Sequence, residues 1–566
     1  MKLDKLIAVA RGVAPADILL TNAKIINTFN GEIEKGNIAI YRDKIAGVGD
    51  YRDAKEVIDL KGKYVAPGLI NGHIHTESSM LHIARYAEAV VPLGVTGIVT
   101  DLHEIANVKG IPGIKYVLDG ARSLPLDMHF MAPSCVPATH LETAGAALTP
   151  DEIKEMLSWD ETTGLGEMMN FPGVLFADGQ VLAKIGASQD KVIDGHAPGL
   201  GGRDLNAYIA AGMTSDHEST RFSEAQEKLC KGMYVMIREG SSEKNLEELL
   251  PLVTDKTYKR CVFVVDDRSC YDLMKDGDID AVVRKAIKLG LDPVRAIQMA
   301  TINTAERFGI RGVGAIAPGY AANIAVISDL RKFKAKMVFH RGKIVARNGK
   351  PLFSPPIRRN VQMTHTMKVK PFKIERLKID AAKRHHPVIG IVPNQIITRN
   401  LSEKAKIVDG CVATDTKRDI LKLVVVERHK STGNIGLGLV KGLGLKRGAL
   451  ASSIAHDSHN IVAAGTNDKD IYVAVKKVEA LGGGLVAAAD GKVIAALPLP
   501  IAGLLSDQPL DKVVKKLEEV EKAAAELGSK LAAPFATLSF LALPVIPELR
   551  LTDKGLVDVL QFKILD

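Results

Sequence analysis

The stretch VAPGLINGHIH (65–75) decides the fold: an apolar run breaks at Pro67-Gly68, resumes as LIN and ends on two histidines in alternate positions. Side chains i and i+2 of a strand share a face, so His73 and His75 project together. Outward from this stretch, the same pattern recurs in GIVTDLH (97–103), DMHFMA (127–132), GLGE (164–167), KVIDGH (191–196), AGMTSDH (211–217), YVMIRE (234–239) and CVFVVDD (261–267). Their ends stand roughly 20–36 residues apart, with helix-like stretches such as LHIARYAEAV and DEIKEMLSW between them. Strands alternating with helices read as βα units on a parallel sheet, and eight units are the number that closes a barrel. Five of the runs end on or beside a histidine or carboxylate: His73/His75, Glu167, His196, His217 and Asp266. Active sites of such barrels lie at the C-terminal ends of the strands.

The flanks differ in character. Residues 17–64 and 322–349 both read as short strands punctuated by Asn/Gly turns, and each is too slight to stand alone. The expected class is therefore α/β: a (β/α)8 TIM-like barrel over 65–321, a small composite β-sandwich domain from 1–64 plus 322–385, and a C-terminal α+β domain over 386–566. Three domains suit 566 residues, 46% of them apolar and 25% charged.

The bulk properties exclude several classes. The start MKLDKLIAVARGV interrupts its apolar run at Arg11, too early for a signal peptide, and no run is long enough for a membrane span. Five cysteines without a CxxC pair argue against a disulfide framework, so a cytoplasmic location is expected. The net charge of +9 is local: residues 331–400 hold 18 Lys+Arg against 2 Asp+Glu, so +16 lies there and 9 − 16 = −7 elsewhere. A basic connecting segment of this kind reads as a solvated linker or subunit contact, and neither nucleic acid nor membrane is an expected partner.

The strand ends carry the chemistry. Two neutral imidazoles at His73 and His75 can bind one divalent ion, and Glu167, His196 and His217 supply a bridging anion and further ligands for a second. Asp266 can ligate through one oxygen and accept the proton of an attacking water through the other. Glu77 completes an H-x-E with His75, but no P-C-x-x-C follows, which excludes the cytidine-deaminase type of zinc site. The glycines of 433–448 match no phosphate-loop pattern and read as turns and close packing. His82, His129 and His140 lack motif partners and read as surface or core histidines, although His129 lies in a strand-like run.

The strings GHIHTESSM, TDLHEIANV, GLGEMMNFPGV, IDGHAPGL, LNAYIAAGMTSDHE, GMYVMIREGS and DDRSCYDLMKDGDID follow one another in the order of the adenine deaminase family of the amidohydrolase superfamily. The chain resembles that family over roughly 1–345, and GNIGLGLVKGLGLKRGALASSIAHDSHNIVAAG resembles its C-terminal domain. The resemblance implies hydrolysis of adenine to hypoxanthine and ammonia. It implies two divalent ions per chain, Mn2+ or Fe2+ first and Zn2+ or Co2+ next. His73, His75, Glu167 and Asp266 would hold one ion, and Glu167, His196 and His217 the other. Asp266, His103 and Glu104 would be catalytic, the division between His103 and Glu104 staying open, and a homo-oligomer is expected. Two departures stand out: Leu102 where the family often has Pro, and Val265 where it often has Thr. The same ligand shell would also serve a cyclic-amide or imide hydrolase, and a silent scaffold is a third reading. The family also implies a pocket that encloses the base with no room for a ribose. Outside the barrel, His456 and His459 in AHDSHN (455–460) are expected to pack over the mouth of a barrel, its own or a neighbour's.

Overall fold

The computed structural model describes residues 3–357, 360–381, 385–393 and 395–565; Arg358, Arg359, Lys383 and Arg384 of the basic segment lie outside the described residues, as do Met1 and Lys2. Eight short strands succeed one another in chain order around the barrel: Leu69–Asn71, Val95–Thr100, Asp127–Ala132, Thr162–Met168, Val192–Gly195, Ser215–Asp216, Tyr234–Arg238 and Cys261–Val264. The first five and the last three form two parallel ladders. The amide of Thr214 donates to Ile193 O (3.3 Å) between them. Parallel pairing of Asp266-Asp267 with Ile74-His75 closes the ring.

These segments become strands because both faces are covered. Every residue of Val95–Thr100 is buried, as a continuous apolar run in a parallel sheet under helices must be. The helices between them are locally signalled. Thr149 and Glu152 form a reciprocal capping box at the start of Pro150–Leu157, which satisfies two otherwise orphaned amides.

The two flanks pair into one nine-stranded sheet, Ile324–Ile327 running antiparallel to Tyr64–Pro67, the strand that leads into the barrel. Its paired strands end at Pro351. Residues 361–381 run instead along the C-terminal body, where Lys368 N–H donates to Arg428 O (2.7 Å) and Val412 N–H to Ile379 O (2.8 Å). The C-terminal domain is an eight-stranded sheet flanked by the helices Asp468–Ala480 and Leu510–Glu526. Its glycine-rich run is a packed strand: a Cβ at Gly436 would meet Thr552 O at 1.9 Å.

This domain docks on the barrel. His82 N–H donates to Ser506 O (2.9 Å) and Ser506 N–H to Met80 O (2.8 Å). Farther along, Thr143 N–H donates to Asp553 Oδ1 (2.8 Å) and Asn460 Nδ2 to Thr143 O (2.9 Å).

Candidate active site

Strand closure brings His73, His75, Glu167, His196, His217 and Asp266 together. His73 Nε2 and His75 Nε2 lie 3.2 Å apart and stand 3.3 and 3.0 Å from Asp266 Oδ1. Glu167 reaches this group through Oε1, 3.2 Å from His75 Nε2. Its other oxygen, Oε2, faces His196 Nδ1 at 2.6 Å and His217 Nε2 at 3.2 Å. One carboxylate therefore joins two ligand groups.

Around these side chains stands a layer of acids that the strand-end pattern did not single out. Asp194 Oδ2 lies 3.5 Å from His73 Nδ1, and Asp101 Oδ1 lies 3.2 Å from His75 Nδ1. Carboxylates behind the distal ring nitrogens orient such histidines and set their tautomer. Asp101 Oδ1 also accepts from His103 Nδ1 (3.1 Å), which places His103 over Glu167 (3.6 Å). The signal for Asp101 and Asp194 was present in TDLH and VIDGH, where each acid precedes the expected histidine within its strand-end run.

Arg238 ends the seventh strand and was not anticipated as a site residue. Its Nη1 contacts both Glu218 Oε1 and Asp266 Oδ2, and its Nη2 donates to Glu218 Oε2 (3.1 Å). The oxygen of Asp266 that the sequence reading left free for a proton is thus held by a guanidinium. Burial would push the Asp266 carboxyl up, but Arg238 and the histidines hold it well below the usual carboxylate range.

Two observations show that the residues fit divalent ions. Buried His217 has both ring nitrogens outside any hydrogen bond, although Nε2 lies 3.2 Å from a Glu167 oxygen without the required direction. The walls also favour a cation. Burial opposes charge on His73 and His196, yet Asp194 and Asp266 push the first up to about 10, and Glu218 and Glu167 push the second up to about 9.

Left-handed backbone clusters here. Asp266 has φ 64°, His459 φ 53°, and Leu102, the residue before His103, φ 55°. Non-glycine residues hold this conformation at a cost and are enriched at functional sites. Proline is locked near −65°, so Leu102 follows a backbone path that proline could not.

Beside the ligand groups lies a cavity of about 610 Å³ bounded by Glu77, Glu104 and Asp267 from the barrel and by His456, His459 and Phe540 from the C-terminal domain. Binding pockets of about 300–1,000 Å³ enclose whole drug-sized ligands, so the volume is ample for a purine base. The AHDSHN segment lies over its own barrel mouth, where His456 Nδ1 is 2.6 Å from Glu104 Oε1 and His459 Nε2 meets Glu104 Oε2. His82 caps a helix through Nδ1, and His140 is exposed. His129 lines a separate small cavity with Gly68, Thr96 and Asp127.

Comparison with known proteins matches this organisation in both halves. A family model described as "Amidohydrolase family" matches residues 64–345, and one described as "Adenine deaminase C-terminal domain" matches residues 395–563. An adenine deaminase of Dehalococcoides mccartyi is 61% identical over 100% of this chain and 99% of its own length. "Adenine deaminase 2" of Carboxydothermus hydrogenoformans is 50% identical over 99% and 98%. An adenine deaminase of Methanothrix thermoacetophila is 49% identical over 99% and 99%. Among the described residues no helix is long and apolar enough to cross a membrane. Identity at this level from end to end covers the barrel with its gathered metal-binding side chains and the domain that roofs it, so this chain is a metal-dependent hydrolase of the adenine deaminase family.

Proposed function

We propose that this protein hydrolyses adenine to hypoxanthine and ammonia for purine salvage, in the cytoplasm and as a homo-oligomer, with two divalent ions of Mn2+ or Fe2+. The observation that carries the reading is Glu167, whose two oxygens meet different ligand groups: His75 with His73 and Asp266 on one side, His196 and His217 on the other. Ions held there would acidify water and polarise the carbon it attacks.

The chain's own residues handle protons. The water oxygen bonds to C6 of the purine while its proton passes to Asp266, which Arg238 keeps ionised. Asp101 takes the Nδ1–H of His103, leaving Nε2 to exchange a proton with the ring or the departing amine. As the C6–N bond breaks, the amine leaves as ammonia with one of the water's protons while the other ends on a ring nitrogen as the C6 oxygen becomes a carbonyl, so one water enters and one ammonia departs. Glu104 is engaged at both oxygens by histidines, and therefore anchors rather than donates. The C-terminal domain covers the barrel mouth through His456, His459 and Phe540, and shielding from bulk water strengthens charge interactions inside such a site.

The test is an ammonia-release assay against purines, pyrimidines and cyclic amides after reconstitution with each metal. Adenine turnover with Mn2+ or Fe2+ is expected. Turnover of a cyclic amide in place of adenine would overturn the reading.

A further inference from the structure

His456 and Phe540 come from separate segments of the C-terminal domain and form one wall of the cavity. Their rings are stacked, with centroids 4.7 Å apart and planes 16° apart. His456 Nδ1 is committed to Glu104 Oε1 at 2.6 Å. A carboxylate on Nδ1 fixes the ring's orientation and leaves Nε2 as the nitrogen available to a ligand.

The partner on the other oxygen makes this arrangement one-sided. His459 Nδ1 accepts the amide N–H of Ala455 (3.2 Å), so its proton sits on Nε2 and is donated to Glu104 Oε2. With Oε2 occupied by a neutral donor, Oε1 is left to the Nδ1–H of His456. Burial opposes charge on His456, but Glu104 and Asp267 push its pKa up to about 9, which keeps a proton on both ring nitrogens near neutral pH.

The wall is held from behind by two buried guanidiniums bonded to neutral oxygens. Arg428 reaches His459 O, Ala502 O (3.0 Å) and Thr366 Oγ1 (3.2 Å). Arg550 Nη1 donates to Phe540 O (2.9 Å).

We propose that His456 is a substrate-contacting residue supplied by the C-terminal domain, its Nε2–H donating to an unprotonated ring nitrogen of the purine in the cavity. The proposal rests on the functional reading above and deepens it. Glu104 and His459 are then positioning residues. A fixed donor selects for a lone pair at one place on the base, so it discriminates between ring nitrogen and C–H by hydrogen bonding, which a cavity of this size cannot do by shape.

The experiment compares adenine with 1-, 3- and 7-deazaadenine, each lacking one ring nitrogen, in the metal-loaded wild type and in two variants. Adenine turnover gives KM and kcat, and the deaza compounds are measured as competitive inhibitors. In the wild type, the analogue lacking the contacted nitrogen should bind roughly 10- to 100-fold more weakly than the other two, the range for a hydrogen bond to a charged group. His456→Phe keeps a ring on Phe540 but removes the donor. It should raise all other constants towards that of the weak analogue and leave the weak analogue's own constant unchanged. His456→Gln restores an N–H donor and should recover the discrimination.

A uniform loss for all ligands in His456→Phe, or unchanged constants at unchanged Tm, would overturn the proposal. Should the Phe variant not fold, loss of discrimination in a folded His456→Gln protein overturns it equally. Failure of the wild type to deaminate adenine would instead overturn the functional reading, while the inhibition constants would still report on His456.

Discussion

Arg238 donates from Nη1 to Oδ2 of Asp266, the oxygen opposite the one that faces His73 and His75. The pair is buried, with Arg238 5% and Asp266 5% exposed. Removing one member of such a pair leaves an uncompensated charge, which costs about 3–5 kcal/mol. Arg238→Met is expected to lower Tm by several degrees and to lower kcat. Arg238→Lys keeps the charge but loses the planar fork that spans Glu218 and Asp266, so a lower kcat at nearly wild-type Tm is expected. Thermal melts beside steady-state kinetics check both, and wild-type kcat in the Lys variant would remove Arg238 from the site's function.

Asp266→Asn retains a ligating oxygen but takes up no proton. Metal content should stay near that of the wild type while kcat falls by about 10²–10⁴-fold, the span of general acid–base catalysis. Full activity in this variant would move the proton acceptor elsewhere, first to the adjacent Asp267.

Glu167 joins the two ligand groups, so its loss should affect both ions. Elemental analysis of the Mn2+-reconstituted wild type is expected to find two ions per chain, and Glu167→Ala one or fewer. A wild type that saturates at a single ion contradicts the two-ion reading.

A pH effect is expected where the C-terminal helix Leu510–Glu526 meets the barrel helix Cys270–Lys275. Burial, with Asp272 and Glu518 close by, pushes Glu521 from 4.5 up to about 7. A folded-state pKa above the unfolded value means that ionisation opposes folding. Stability from this group is therefore fully present below about 4.5 and declines as pH rises through about 7. Glu521→Gln should raise Tm more at pH 8 than at pH 5. An equal shift at both values would mean that Glu521 titrates normally.

Some of this was legible in a single line of residues. Alternation puts His73 and His75 on one face of a strand, and the C-terminal strand ends of a barrel converge whatever lies between them, so runs such as GLGE, VIDGH and TSDH announce their ligands locally. The capping box at Thr149 and the turns of the flanking β-segments are local in the same way. Other features were not written in any local pattern. Glu104 and His459 lie 355 positions apart, and their contact exists because the C-terminal domain docks on the barrel through surfaces whose periodicity names no partner. The packing of residues 361–381 along the C-terminal body, through Lys368 and Ile379, is unwritten for a similar reason: a short basic segment without strong periodicity takes its place from whatever covers it. Arg238 reads in sequence as the polar end of a strand, and only ring closure sets it against Asp266. Strand and helix periods decide which face a side chain occupies, through geometry that repeats every few residues; which charge it meets across the site depends on long-range packing, where apolar burial sets the approach and buried charges must then find partners.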